Sequence, residues 1–140
     1  MAMRALLPLI RVVAKYTLLV FSLCFFAGAI VGGIQRILFP TATDPPWGGI
    51  NAYSVVKFGI TLLITSGAFW RLARRHQGVY LLTAPAVALL TAVTELVILG
   101  CDAQENASIS LITGVGILAI NFGCMIAGGF VGGAFKPSAG

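Results

Sequence analysis

Charge is what this chain has least of. Asp, Glu, Lys and Arg together make up 9% of its 140 residues, against about 25% in ordinary soluble domains. Too few polar side chains exist to cover a water-soluble globule, so the solvent for most of this surface must be lipid. Histidine occurs once, as His76, which excludes bis-histidine haem ligation within one chain. Three cysteines, Cys24, Cys101 and Cys124, form no CxxC pair and no zinc-ligand spacing, so neither a metal site nor a disulfide framework is expected. Two of them fall in apolar runs and read as small packing residues. Catalytic motifs are missing as well: HExxH, a Walker-type loop and GxSxG are all absent. Most loops are too short to build a soluble active site. The reading therefore leans away from an enzyme and assigns no catalytic residues and no cofactor.

What is there in quantity is apolar sequence, 59% of the chain. It falls into four stretches, each near the roughly 20 residues that a helix needs to cross a hydrocarbon core of about 30 Å. The expected spans are 16–38, 52–72, 79–100 and 108–135. A turn-rich connector with two prolines, Thr41 to Gly49, separates the first two. A tight basic link around His76 separates the second from the third, and the polar segment Asp102 to Asn106 precedes the fourth. The start also carries the elements of a secretory signal, with an apolar core followed by Ala27-Gly28-Ala29. Because the apolar run continues to Ile34, an uncleaved first span is expected. The triplet Asn106-Ala107-Ser108 fits a glycosylation acceptor, but it lies too close to the membrane for modification to be expected.

The basic residues sort by side. Arg4, Arg11, Lys15, Arg71, Arg74, Arg75 and Lys136 fall at the N-terminus, the second link and the C-terminus, whereas Asp44, Asp102 and Glu105 fall in the other two links. Arg36 alone sits on the opposite side. Basic residues stay cytoplasmic, so the expectation is an all-α, polytopic protein of the cell (inner) membrane: a four-helix antiparallel bundle with both termini cytoplasmic. Tyr16, Trp70 and Tyr80 fall where inner interfacial anchors belong, and Trp47 and Tyr53 where outer ones do. Ahead of the first span, Arg4, Arg11 and Lys15 share one helical face, as in an interfacial helix over 2–14 drawn to anionic lipid. A plain extension of the first span explains the same spacing. No basic run with interleaved aromatics occurs, so nucleic acid is not an expected partner.

Two charges lie within the spans, Lys57 and Glu95. Each costs ~2.5–3.5 kcal/mol at mid-bilayer even on the lenient insertion scale. Both lie roughly 8–9 Å to the outer side of their span centres by the helical rise. They are also nearly symmetric about the link at His76, so a simple hairpin of the second and third spans brings them to one depth, where they can pair. Ser54, Lys57, Thr61 and Thr65 form a stripe at steps of three or four, and Thr83, Thr91, Thr94 and Glu95 form another. On the fourth span Asn121 shares a face with Ser110, Thr113, Cys124 and Gly128. Lys57, Glu95, Thr61, Thr91 and Asn121 are thus the candidate intramembrane polar site, read either as a solute or ion path or as interhelical glue.

Glycine supplies the last pattern. Cys24 to Gly33 and Cys124 to Gly133 agree at six of ten positions at an offset of 100. Both contain GxxxG, which lets helix backbones approach closely. Gly28, Gly32, Gly33, Gly128, Gly132 and Gly133 are therefore candidate packing positions. The two motifs lie at different depths and cannot zip together, so each needs another partner in the bundle or on a neighbouring subunit. The first functional expectation is a non-catalytic subunit or scaffold that self-associates or docks onto other membrane subunits. The alternative is a small oligomeric transporter or channel using a Lys57–Glu95 pair and Asn121.

Overall fold

The computed structural model describes residues 2–38, 52–102 and 111–136, and within them the chain is helical apart from short turns. Helix α1 runs Ala2–Leu38, α2 Ala52–Arg75, α3 Tyr80–Asp102 and α4 Leu111–Gly132, with a 3-10 turn at Gln77–Val79 between α2 and α3. Each of the four is long and apolar enough to cross a membrane. The first connector with Trp47, most of the third loop and the Asn106 triplet lie outside the described residues.

Helix α1 is 37 residues long, about 55 Å at the helical rise, well beyond a hydrocarbon core of about 30 Å. It passes through Pro8 without interruption, so residues 2–14 and the first span belong to one continuous helix. Its packing places the excess. Tyr16 is buried and meets His76 edge-on, ring centres 6.0 Å apart, which sets Tyr16 level with the α2–α3 link.

The helices do not pack in chain order. Helix α4 lies against α2 and α3, and α1 lies against the same two, while α2 and α3 barely touch. The cause is steric and lies in α4. A Cβ built on Gly128 would stand 2.6 Å from the Phe69 Cβ and 2.8 Å from the Trp70 nitrogen, and one on Gly132 would overlap the Ala73 methyl. Only glycine lets the α4 backbone come this close to α2. On the next position round, Gly129 makes room for Tyr80 of α3, whose ring lies 2.7 Å from the corresponding Cβ position. The α4 glycines thus serve contacts within the chain. Gly33 on α1 has nothing within 4 Å of its Cβ position, and Gly28 has only the Lys57 side chain, at 3.6 Å.

The tightest packing gathers at the end of the bundle near the link. Phe69, Leu72 and Ala73 of α2, Tyr80, Ala84, Val87 and Ala88 of α3, Tyr16 of α1 and Cys124 of α4 form one buried cluster. Tyr16 and Tyr80 therefore face inward rather than serving as the lipid-interface anchors expected of them. The Tyr80 hydroxyl donates to the Met125 carbonyl at 2.5 Å, which gives the phenol a partner inside the core. Trp70 remains half-exposed, with the Arg74 guanidinium 5.4 Å over its ring.

Helix α4 ends in a Schellman motif. Gly133 takes φ +81°, its N–H donates to Phe130 O at 3.2 Å, and Ala134 N–H donates to Gly129 O at 2.9 Å. The Gln77 amide clasps this turn by donating to Gly133 O at 2.6 Å, joining the α4 terminus to the α2–α3 link. Gly133→Ala forces a Cβ into left-handed backbone and is expected to cost about 1–2 kcal/mol, read as a lowered melting temperature in detergent. An unchanged melting temperature would show that the turn has relaxed out of this geometry.

Candidate functional site

Away from the tight end, the four helices line a half-open cavity of about 670 Å³. The packing explains where it opens. Glycine holds α4 against α2 at Gly128 and Gly132, but the cavity lies along the segment of α4 that carries Ile117, Ile120 and Asn121. Helix α2 contributes Lys57, Thr61 and Thr65, and α3 contributes Thr91, Thr94 and Glu95. Spacing of three or four residues puts each set on one helical face. Thus all five residues singled out as a polar site, Lys57, Glu95, Thr61, Thr91 and Asn121, line one cavity.

The expected contact between Lys57 and Glu95 takes a different form. Both charges line the cavity, yet no ion pair joins them. The physical reason is the order of packing: with α4 and α1 each bridging α2 and α3, the two sequence neighbours stand across the cavity from one another. The partner of Glu95 is on α4 instead. Asn121 Nδ2 donates to Glu95 Oε2 at 3.1 Å and to the Ile117 carbonyl at 3.0 Å. This uses both N–H groups of the amide and orients its oxygen. Lys57 lies along α1, with its Cε 3.6 Å from the Cβ position of Gly28, an ordinary contact distance.

The threonines divide into two kinds. Thr61 donates to the Lys57 carbonyl at 2.9 Å and Thr94 to the Leu90 carbonyl at 2.8 Å, the usual way a helix absorbs a hydroxyl in an apolar setting. By contrast the hydroxyls of Thr17 and Thr91 and the Oδ1 of Asn121 are buried with no partner. All three residues line the cavity. Thr91 is 5% exposed and Asn121 2%, and an unpaired buried polar atom costs about 1–3 kcal/mol. Thr83, placed by spacing on the same stripe as Thr91, is buried elsewhere and donates to the Val79 carbonyl at 2.9 Å.

Sequence reasoning missed the wall formed by α1. Thr17, Phe21, Cys24 and Gly28 all line the cavity, and the Cys24 thiol lies against the hydroxyls of Thr65 and Thr61. The signal was present, since 17, 21, 24 and 28 advance by four, three and four residues. Reading Cys24 as inert packing hid it. Cys124, its counterpart in the repeated motif, does belong to the packed core. Apolar side chains, Phe25, Phe58 and Ile98 among them, fill out the remaining wall. Among the described residues no three of His, Cys, Asp and Glu converge to hold a metal ion.

Comparison with protein-family models, with curated proteins and with solved structures finds no match to this chain, so its functional reading rests on this geometry.

Proposed function

We propose that this chain is a small multi-pass carrier or channel component of the cell (inner) membrane, which takes a polar solute into the cavity between its helices. The observation that carries this reading is the cavity itself. It combines an apolar wall with a carboxylate and an ammonium, and three of its lining residues each hold a buried polar atom that has no partner among the described residues. Helix-to-helix glue satisfies its own hydrogen bonds, and a site with acceptors left over is suited to a ligand. Its volume falls within the range of about 300–1,000 Å³ typical of small-molecule sites. The basic residues at the N-terminus, the second link and the C-terminus support cytoplasmic termini. On that orientation the packed cluster lies toward the cytoplasm and the cavity toward the outside.

Cys24 offers a direct test of a water-filled cavity. On a Cys101→Ser, Cys124→Ser background in proteoliposomes, Cys24 is expected to react with the membrane-impermeant cation MTSET. Prior labelling is expected to reduce any solute flux the vesicles support. A Cys24 that reacts only with membrane-permeant maleimides would place it in a dry interior and count against the carrier reading.

A second reading retains one specific observation. A Cβ built on Gly33 of α1 would meet nothing within 4 Å, which favours a subunit or scaffold that docks another membrane helix there. Proteins retained after gentle detergent extraction, and lost on Gly33→Leu, would favour docking over transport.

A further inference from the structure

Resting on the carrier reading, we propose that the ligand is a zwitterion, with its ammonium held at Glu95 and its anionic group held at Lys57. The argument starts from how the cavity polar groups are spent. Asn121 has committed both N–H groups, to Glu95 and to its own helix, and its Oδ1 is buried without a partner in a residue that lines the cavity. Thr91 Oγ1, also unpartnered, stands one helical turn from Glu95 on the same face of α3. The charge that this wall offers is the Glu95 carboxylate, and the group that matches a carboxylate in an apolar setting is one with N–H donors and a positive charge.

A simple amine fits that wall and fails at the other. Lys57 lines the same cavity, and among the described residues its ammonium has no partner. A cation bound at Glu95 would leave Lys57 unpaired and repelled, and a simple anion would do the same to Glu95. Helices α2 and α3 barely touch, and the two charges form no ion pair with each other. A ligand with a charge of each sign completes both walls and leaves the loaded site electrically neutral. In a low-dielectric setting that is where two opposed, separated charges are worth most. Two sources carry this chemistry: a free amino acid, or the aminoethyl phosphate headgroup of phosphatidylethanolamine entering from the bilayer.

The test is a binding titration of the purified protein in phosphatidylcholine nanodiscs. The probes are the ω-amino acids from glycine to 6-aminohexanoate, with n-alkylamines and n-alkanoates of matching length. At least one ω-amino acid is expected to bind at least about tenfold more tightly than the matching amine or alkanoate. In Lys57→Gln the advantage over the amine is expected to vanish while the advantage over the alkanoate persists. Glu95→Gln is expected to show the converse. These are ratios within one preparation, so partial unfolding of a variant does not imitate them. If an amine or an alkanoate alone binds as tightly as the amino acid, or if both variants weaken all probes equally, the assignment is overturned. Incorporated phosphatidylethanolamine that blocks the amino acid would support the headgroup as the natural source, and an amino acid bound regardless would support the free solute. If none of these probes binds while the vesicles carry some other solute, the zwitterion assignment falls and the carrier reading stands. If Cys24 also resists MTSET, the carrier reading falls with it.

Discussion

Glu95→Gln is expected to abolish solute uptake while leaving the protein at least as stable as before. Glutamine keeps the shape of the side chain and an oxygen to accept from Asn121 Nδ2, now 3.1 Å from the carboxylate. What it removes is the charge. An ionised carboxylate among apolar helices is unfavourable to bury, by ~2.5–3.5 kcal/mol at mid-bilayer on insertion scales, so neutralising it relieves the folded state. A residue retained only for packing would give the glutamine variant full activity. A charge that holds a cationic group gives a variant with a melting temperature unchanged or raised and with binding weakened at least about tenfold, a loss of about 1.4 kcal/mol or more. Those two readouts move in opposite directions, and misfolding cannot produce both. Preserved flux in Glu95→Gln would remove the carboxylate from the mechanism.

The second large effect is structural. Gly132→Leu is expected to break the α2–α4 contact, because even a single Cβ there overlaps Ala73 and lies 3.0 Å from the Trp70 carbonyl. Neither obstacle can yield by a side-chain rotation, since one is a Cβ and the other is backbone. Helix α4 must move outward, and overpacking of this kind costs typically 1–3 kcal/mol, occasionally more. The consequence reaches the cavity, because displacing α4 also displaces Asn121 from Glu95. Loss of a discrete melting transition in detergent is expected, together with loss of binding. The same substitution at Gly33, in an identical stretch of motif, is expected to leave the melting temperature unchanged, since nothing lies within 4 Å of its Cβ position. Equal damage at both positions would mean that the α1 face is also packed, against a second copy or another subunit.

Residue identity alone does not distinguish these two glycine faces. The motifs at 24–33 and 124–133 are alike in residues, yet Gly128 and Gly132 seat α4 against α2 while Gly33 has nothing within 4 Å of its Cβ position. GxxxG records only that close approach is possible. Which helix comes close depends on the shapes of all four. The Lys57–Glu95 contact followed from the assumption that helices joined by a tight link pack side by side. The link permits that arrangement, but a glycine face on α4 competes for α2 and gains closer contact, leaving the two charges across a cavity. Tyr16 and Tyr80 likewise have the amphipathic chemistry of interface anchors, and only the fold shows that buried partners claim them.

By itself, the sequence determined the solvent and the elements. With 9% charged residues and four apolar stretches near 20 residues long, helices suited to a membrane are the arrangement that satisfies the backbone in lipid. It also singled out Lys57, Glu95, Thr61, Thr91 and Asn121, because a charge or amide in an apolar span is costly, and these five line one cavity. The tertiary structure alone decided the neighbours. It bound Asn121 to Glu95, turned α1 into the fourth wall, and left three polar atoms without partners. Hydrophobicity is a property of each residue and adds up along a chain. Contact between helices is a competition among surfaces, settled in this chain by a few missing β-carbons.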